Sequence, residues 1–217
     1  MADDAPCQFC FEPAGTLQCS KCKAARYCST AHSVSDWQRH KPECNLLSTV
    51  GLKGQNGYPF TVKAVLFPAD GDTPRIVDVR YKLRQVRDVP TLQHDLDLGS
   101  WVGSGPDTIT IQKSGVNGPP LGRSIMLMYN GNFFNDGSPL NRSIQRLAGG
   151  RCHPWGGHML GFRYTDPSAI IARYEDVKTE DVEVFKKYFR EGGTGQSIRE
   201  YFRLSRCSFV ARAEVPQ

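Results

Sequence analysis

Cys7, Cys10, Cys19, Cys22, Cys28, His32, His40 and Cys44 bring eight soft donors into one short stretch, spaced C-x2-C-x8-C-x2-C-x5-C-x3-H-x7-H-x3-C. Thiolate and imidazole are the donors that structural zinc sites use, four to a metal, so the stretch contains two complete ligand sets. Each C-x2-C pair can close into a knuckle with both sulfurs on one metal. The C-x3-H and H-x3-C pairs have the reach of ligands on a turn or on one helical turn. Spacing alone leaves open which pairs share a zinc. With all donor positions filled, two structural zinc ions are expected, and no position is left for a substrate or a reactive water.

The chain of 217 residues is long enough to build a core without disulfides, and it divides into an expected zinc module at 1–50 and a larger unit at 55–210. Gly51, Gly54, Gly57 and Pro59 mark the connection, with the boundary near residue 55. Beyond it, Thr61 to Phe67 reads as an apolar strand. Val77, Val79, Tyr81 and Leu83 alternate with Asp78, Arg80, Lys82 and Arg84 as a half-buried strand does, leaving a basic outer face that an acidic partner or RNA could use. Pro90 to Pro106 reads as irregular backbone around Trp101, Thr108 to Lys113 as a short strand, and Ile125 to Tyr129 as a central buried strand. Ser138 before Pro139 has the order of a helix N-cap and first turn, followed by Leu140, Ile144 and Leu147 on one face. A strand is expected at Gly157 to Tyr164, with His158, Leu160, Phe162 and Tyr164 on one side. Thr179 opens the clearest helix, with Val182, Phe185, Tyr188 and Phe189 on one stripe and glycines at its end. Ser197 and Glu200 have the spacing of a capping box for a last short helix. Strands in the middle and helices toward the end, without regular alternation, predict an α+β fold for the larger unit.

The net charge of +5 invites a nucleic-acid reading, but the first fifty residues set Lys21, Lys23, Arg26, Arg39 and Lys41 against Asp3, Asp4, Glu12, Asp36 and Glu43. Six thiolates against two divalent zincs then make the metallated module net negative, which is a poor phosphate clamp. Direct nucleic-acid binding by it is not expected. The acidic start without an apolar h-region is not a secretory signal, and no apolar run reaches membrane-spanning length. Only Cys152 and Cys207 lie outside the zinc stretch, which fits a reducing compartment, cytoplasm or nucleus, better than a disulfide framework.

The ligand spacing, with Ala25-Arg26-Tyr27-Cys28-Ser29 and then Asp36-Trp37-x-x-His40-Lys41 and Cys44, resembles a MYND-type zinc finger. The resemblance implies interleaved pairing in a cross-brace, with Cys7, Cys10, Cys28 and His32 on one zinc and Cys19, Cys22, His40 and Cys44 on the other. The family usually carries cysteine where this chain has His32. The resemblance also implies a shallow groove that takes short proline-containing peptides of other proteins by strand pairing and an apolar pocket. Trp37 would be its aromatic residue and Gln18, Cys19 and Ser20 its pairing edge. Ser33 stands where several peptide-binding members have glutamine. The expected function is a protein–protein interaction adaptor, not an enzyme, with transcriptional regulation through bound partners as one setting. The remainder resembles domains attached to MYND fingers in fungal proteins, around His153-Pro-Trp155-Gly-Gly and Tyr174 to Phe189, which implies a eukaryotic source.

Other readings are weaker on the residues. A ribbon-type DNA-binding finger would leave four ligands unexplained, and a RING-type finger needs a closing C-x2-C pair. MYND fingers occur in SET-domain lysine methyltransferases, but this chain has no Asn-His-Ser-Cys motif. In the larger unit, Gln93-His94-Asp95 with Asp97 reads as a polar strand edge rather than a metal site. Cys152 and His153 are only sequence neighbours. Glu191-Gly-Gly-Thr-Gly-Gln-Ser197 has glutamine where a phosphate loop needs lysine.

Overall fold

A computed structural model of the chain describes residues 6–191, apart from 11, 13, 14, 52, 53, 87, 88, 104, 116, 117, 151 and 165–172. In chain order its elements are β1 (Leu17–Gln18), β2 (Arg26–Tyr27), α1 (Thr30–Ser35), α2 (Trp37–Val50), β3 (Phe60–Phe67), β4 (Arg75–Val86), β5 (Val89–Leu96), α3 (Gly99–Val102), β6 (Pro106–Lys113), β7 (Pro120–Asn130), α4 (Arg142–Leu147), β8 (Met159–Tyr164), β9 (Tyr174–Glu175) and α5 (Thr179–Arg190). This is a zinc module followed by a mixed α+β domain. Two compact units interleave in sequence: Met1–Lys63 with Asp78–Leu98 and Tyr164–Asp176, and Ala64–Val77 with Gly99–Arg163 and Val177–Gln217.

In the first unit, β1 and β2 pair antiparallel with Leu17 opposite Tyr27 and Gln18 opposite Arg26. Ser29 caps α1 by accepting from the His32 N–H at 3.2 Å. Pro42 lies inside α2, where it removes one intrahelical bond, so this helix relies on its side-chain contacts. The β4 alternation is as expected, with Val79, Tyr81 and Leu83 buried. Its basic face is not a bare cationic stripe. Arg80 meets Asp97 at 2.5 Å and Lys82 meets Asp95 at 3.6 Å.

Those acids come from the segment expected to be irregular. Residues 89–96 are instead β5, antiparallel to β4 with Lys82 opposite Asp95 and Leu83 opposite His94, and Gly99–Val102 form α3. The strand order is β5-β4-β3, so β5 is an edge. An edge tolerates Pro90, and its polar alternation mirrors the charges of β4, which hid the strand from a hydrophobicity reading.

The second unit has the strand order β3-β8-β7-β6. Val65 faces Gly161 and Phe67 faces Met159 across β3 and β8, and Ile109 faces Leu127 across β6 and β7. β8 is buried at Met159 and Gly161 as well as at Leu160 and Phe162, so both its faces are packed. The core joins Val65, Phe67, Ile125, Leu127 and Met159 to Phe185 and Phe189 of α5. Gly161 is required by this packing: a Cβ there would sit 2.5 Å from Cζ of Phe185. Asp181 anchors the first turn of α5. Fully buried, it accepts from the Lys178 N–H at 2.8 Å and from Arg123 Nε at 2.6 Å.

The helix expected to start at Ser138 begins three residues later. Asn141 is the N-cap of α4, accepting from the Ile144 N–H, while its amide donates to the Phe67 and Gly157 carbonyls. Leu140 forms a bridge with Gly156 and the Pro139 carbonyl accepts from Gly157 N–H, which holds Ser138 to Leu140 out of the helix. The short helix expected after Ser197 and the glycines after α5 lie outside the described residues.

Candidate metal centres and the adjoining groove

The fold gathers the eight donors into two clusters. Cys7, Cys10, Cys28 and His32 form one, and Cys19, Cys22, His40 and Cys44 the other, each with its ligand atoms within 4.8 Å of one another. The first and third ligand pairs thus share one centre and the second and fourth share the other, which is a cross-brace. The Cys7 knuckle is closed by its N–H to the Glu12 carbonyl, and that of Cys19 by Lys23 N–H to the Cys19 carbonyl. Helix α1 delivers His32 from its first turn, and α2 delivers His40 and Cys44 one turn apart.

The donor geometry fits zinc. A tetrahedral site with Zn–S bonds of about 2.3 Å has S···S edges of about 3.8 Å. Cys10 and Cys28 stand 3.7 Å apart, and so do Cys19 and Cys44. His32 turns Nδ1 toward Cys7 and Cys28 at 3.6 and 3.0 Å, and His40 turns Nε2 toward Cys22 at 3.5 Å. Two Cys3His sites therefore hold two structural zinc ions. Local electrostatics already favour the thiolates at some ligands. Burial pushes the Cys7 thiol up, but backbone N–H groups of Cys10, Cys28 and Phe9 outweigh it and hold the thiol at about 6. At Cys22 the contact with His40 outweighs burial, again to about 6. Burial, followed by Cys19 and Cys22, pushes Cys44 up to about 12, so filling the second site displaces protons.

Behind the second centre lies a buried ionic network that sequence reasoning missed. Glu43, 1 % exposed, receives Arg39 at 2.8 Å, Arg173 at 3.3 Å and His94 Nε2 at 3.3 Å, while the outer Nδ1 of the ligand His40 lies 3.9 Å away. His94 Nδ1 accepts the Tyr174 N–H at 3.2 Å, so the ring carries its proton on Nε2 and donates it to Glu43. Burial holds the His94 ring down at about 4. Glu43 lies well below the usual carboxylate range: burial opposes this, and the Arg173 charge, His40 and His94 outweigh it. Asp36, also buried, accepts from Tyr27 Oη at 2.8 Å and from Arg39 Nε at 2.6 Å. Asp95 and Asp97 do not join His94 in a metal site. Among the described residues, only the two cysteine–histidine clusters place three or more ligand atoms of His, Cys, Asp or Glu all within 4.8 Å of one another. Burial raises the Cys152 thiol above its ordinary range, the opposite of nucleophile activation.

Gln18, Cys19, Ser20, Ser33 and Trp37 line a single groove of about 290 Å³, together with Leu17, Tyr27, Thr30 and His40. Trp37 and Leu17 remain 42 % and 45 % exposed on its walls, so neither is consumed by packing. The indole opens α2 edge-on to the His40 ring at 6.1 Å. Ser33 Oγ donates to the Thr30 carbonyl, and Gln18 Nε2 donates to the Lys23 carbonyl at 2.5 Å. Among the described residues β1 pairs only with β2, which leaves its other edge unpaired.

The family model described as MYND finger matches residues 7–44. This stretch is a MYND finger. Three relatives resemble it. Tudor domain-containing protein 1 of Mus musculus is 36 % identical over 61 residues, 28 % of this chain and 5 % of that protein. N-lysine methyltransferase SMYD2-B of Xenopus laevis is 43 % identical over 54 residues, 24 % of this chain and 12 % of that protein. N-lysine methyltransferase SMYD2-A of the same organism is 41 % identical over 46 residues, 21 % of this chain and 11 % of that protein. The chain thus spans only a small fraction of these relatives. No solved structure gives a significant match. MYND fingers are commonly protein-interaction modules, and this one contains the two closed zinc sites that such a module needs.

Proposed function

We infer that the protein is a non-enzymatic adaptor whose MYND finger captures an extended, proline-containing segment of a partner protein. The observation that carries this reading is the groove beside the second zinc centre, where an exposed indole, an exposed leucine and an unpaired strand edge converge. A segment laid along β1 satisfies the free N–H and C=O groups of that edge, and an apolar side chain fits between Leu17 and Trp37. Proline suits such a segment because it costs little conformational entropy to hold extended. The zincs act at a distance from the partner: they fix Cys19 at the end of the edge and His40 under the indole. Among the described residues six cysteines serve as zinc ligands and Cys152 is a thiol outside any disulfide, which fits a reducing compartment, cytoplasm or nucleus.

An array of proline-containing peptides presented to the intact, zinc-loaded chain tests the reading. A bound subset that is lost in Leu17→Asp, with both zincs retained, supports it. Retention of every peptide by that variant removes the groove from the function. The methyltransferase relatives motivate a second reading, transfer of a methyl group to lysine, although their likeness covers only the finger region, 24 % and 21 % of this chain. Turnover of S-adenosylmethionine on histone or peptide mixtures would replace the adaptor with an enzyme.

A further inference from the structure

The charge of the finger and the charge of its surface are different quantities. Asp36 and Glu43 make up most of the described acidic residues of residues 6–50, yet they are 4 % and 1 % exposed. Both are neutralised internally, by Arg39 and by Arg173. What remains on the solvent side among the described residues is Glu12 against Lys21, Lys23 and Lys41, all exposed. Two of these cations stand at one end of the groove. Lys21 directly follows Ser20 on the groove wall, and Lys23 is tied to the wall by the hydrogen bond from Gln18 to its carbonyl. Lys21 rests its ammonium on the neutral Asn45 Oδ1 at 2.6 Å, which orients the charge without cancelling it. Arg26 stands directly opposite Gln18 in the β1–β2 ladder, so a third cationic side chain belongs to the same hairpin. Among the described residues the groove lining carries no carboxylate.

We propose that the groove selects extended partner segments in which the apolar, proline-containing core is flanked on one side by aspartate or glutamate, read by Lys21 and Lys23. The inference rests on the peptide-capture reading above and adds a sign and a direction to it. Carboxylates beyond the Ser20 end of the β1 edge lie within a Debye length of both ammonium groups, so they are attracted at physiological salt and released at high salt. A nucleic acid fits the same face less well. Its backbone needs a track of cations, whereas this groove has cations at one end and hydroxyl, apolar and aromatic groups along the rest.

The test uses the full chain with both zincs and three fluorescent peptides. They share one proline–leucine–proline core and differ only in four flanking residues, all Glu, all Gln or all Lys. Fluorescence anisotropy should rank them Glu, then Gln, then Lys. Each step is about three- to tenfold at low salt, shrinking toward equality at about 0.5 M salt. In the double variant Lys21→Glu, Lys23→Glu the order reverses, while the Gln-flanked peptide keeps its affinity to within about twofold. Equal binding of all three peptides to the wild-type chain overturns the proposal and leaves the groove reading standing. Failure of all three, including the neutral one, overturns both. A ten-nucleotide uridine RNA that displaces the Glu-flanked peptide at comparable concentration also overturns it, because the face would then be a phosphate surface. The wild-type flank series and its salt dependence do not require the variant to fold.

Discussion

His32 shows how one residue sets the chemistry of a site. Its Nδ1 sits 3.6 Å from Cys7 Sγ and 3.0 Å from Cys28 Sγ, at the corner where the family usually has a fourth cysteine. Imidazole in place of thiolate removes one negative charge from the first centre and leaves its tetrahedral geometry in place. His32→Cys is expected to keep two zincs per chain, and His32→Ala to fall to one tightly held zinc, both read by native mass spectrometry. Two zincs in the alanine variant would remove His32 from the ligand set. His94 supplies a pH dependence. Its ring is held down at about 4 by burial, below its ordinary 6.5, so the unfolded chain binds the proton more readily than the folded one. The stabilising contribution of neutral His94 is therefore full above about pH 6.5 and is lost as pH falls toward about 4. Melting temperature should decline across that window, and His94→Gln should decline less steeply at equal zinc content.

At the scale of elements, α2 ties the second zinc centre to the strands of its own unit through Glu43, His94 and Arg173. Removing one member strands the others, charged or polar, in a buried site. Arg173→Met is thus expected to cost about 3–5 kcal/mol, seen as a lower denaturant midpoint and earlier zinc release. In the second unit, Gly161→Ala sets a methyl against the Phe185 ring at 2.5 Å. It should cost about 1–3 kcal/mol through displacement of α5. These elements were unequally legible. The ligand spacing and the α5 stripe are local patterns, visible in a few consecutive turns. The network around Glu43 joins residues far apart in sequence, and no period links a helical glutamate to a histidine on β5 and an arginine before β9. β5 escaped for another reason: its Pro90, Gln93 and Asp95 look like loop residues until β4 is placed beside them. Ser138-Pro139 had the order of a helix start, but Gly157 N–H donating to the Pro139 carbonyl and Asn141 N–H donating to the Trp155 carbonyl moved that start to Arg142.

At the scale of the molecule, the groove residues Gln18, Cys19, Ser20, Ser33 and Trp37 were legible only through the family resemblance. Leu17, Tyr27, Thr30 and the zinc ligand His40 complete the wall, and their place in it needed the fold. The finger is also not independent of the chain around it: His94 and Arg173, both outside residues 1–50, complete the burial of Glu43 beside the ligand His40. Among the described residues no helix is long and apolar enough to cross a membrane. Zinc removal is expected to unfold the finger, since structural zinc contributes on the order of 10 kcal/mol or more to such segments. Chelation should therefore abolish peptide capture completely, whereas Trp37→Ala should weaken it by about tenfold or more with both zincs still bound. The most direct test of a zinc-held groove that captures peptide is a backbone and indole chemical-shift map. The zinc-loaded chain would be recorded before and after addition of a bound proline-containing peptide. The account predicts shifts centred on Leu17 through Lys23, Tyr27, Thr30, Ser33, His40 and the Trp37 indole. Shifts centred elsewhere, with the Trp37 indole unmoved, would contradict it.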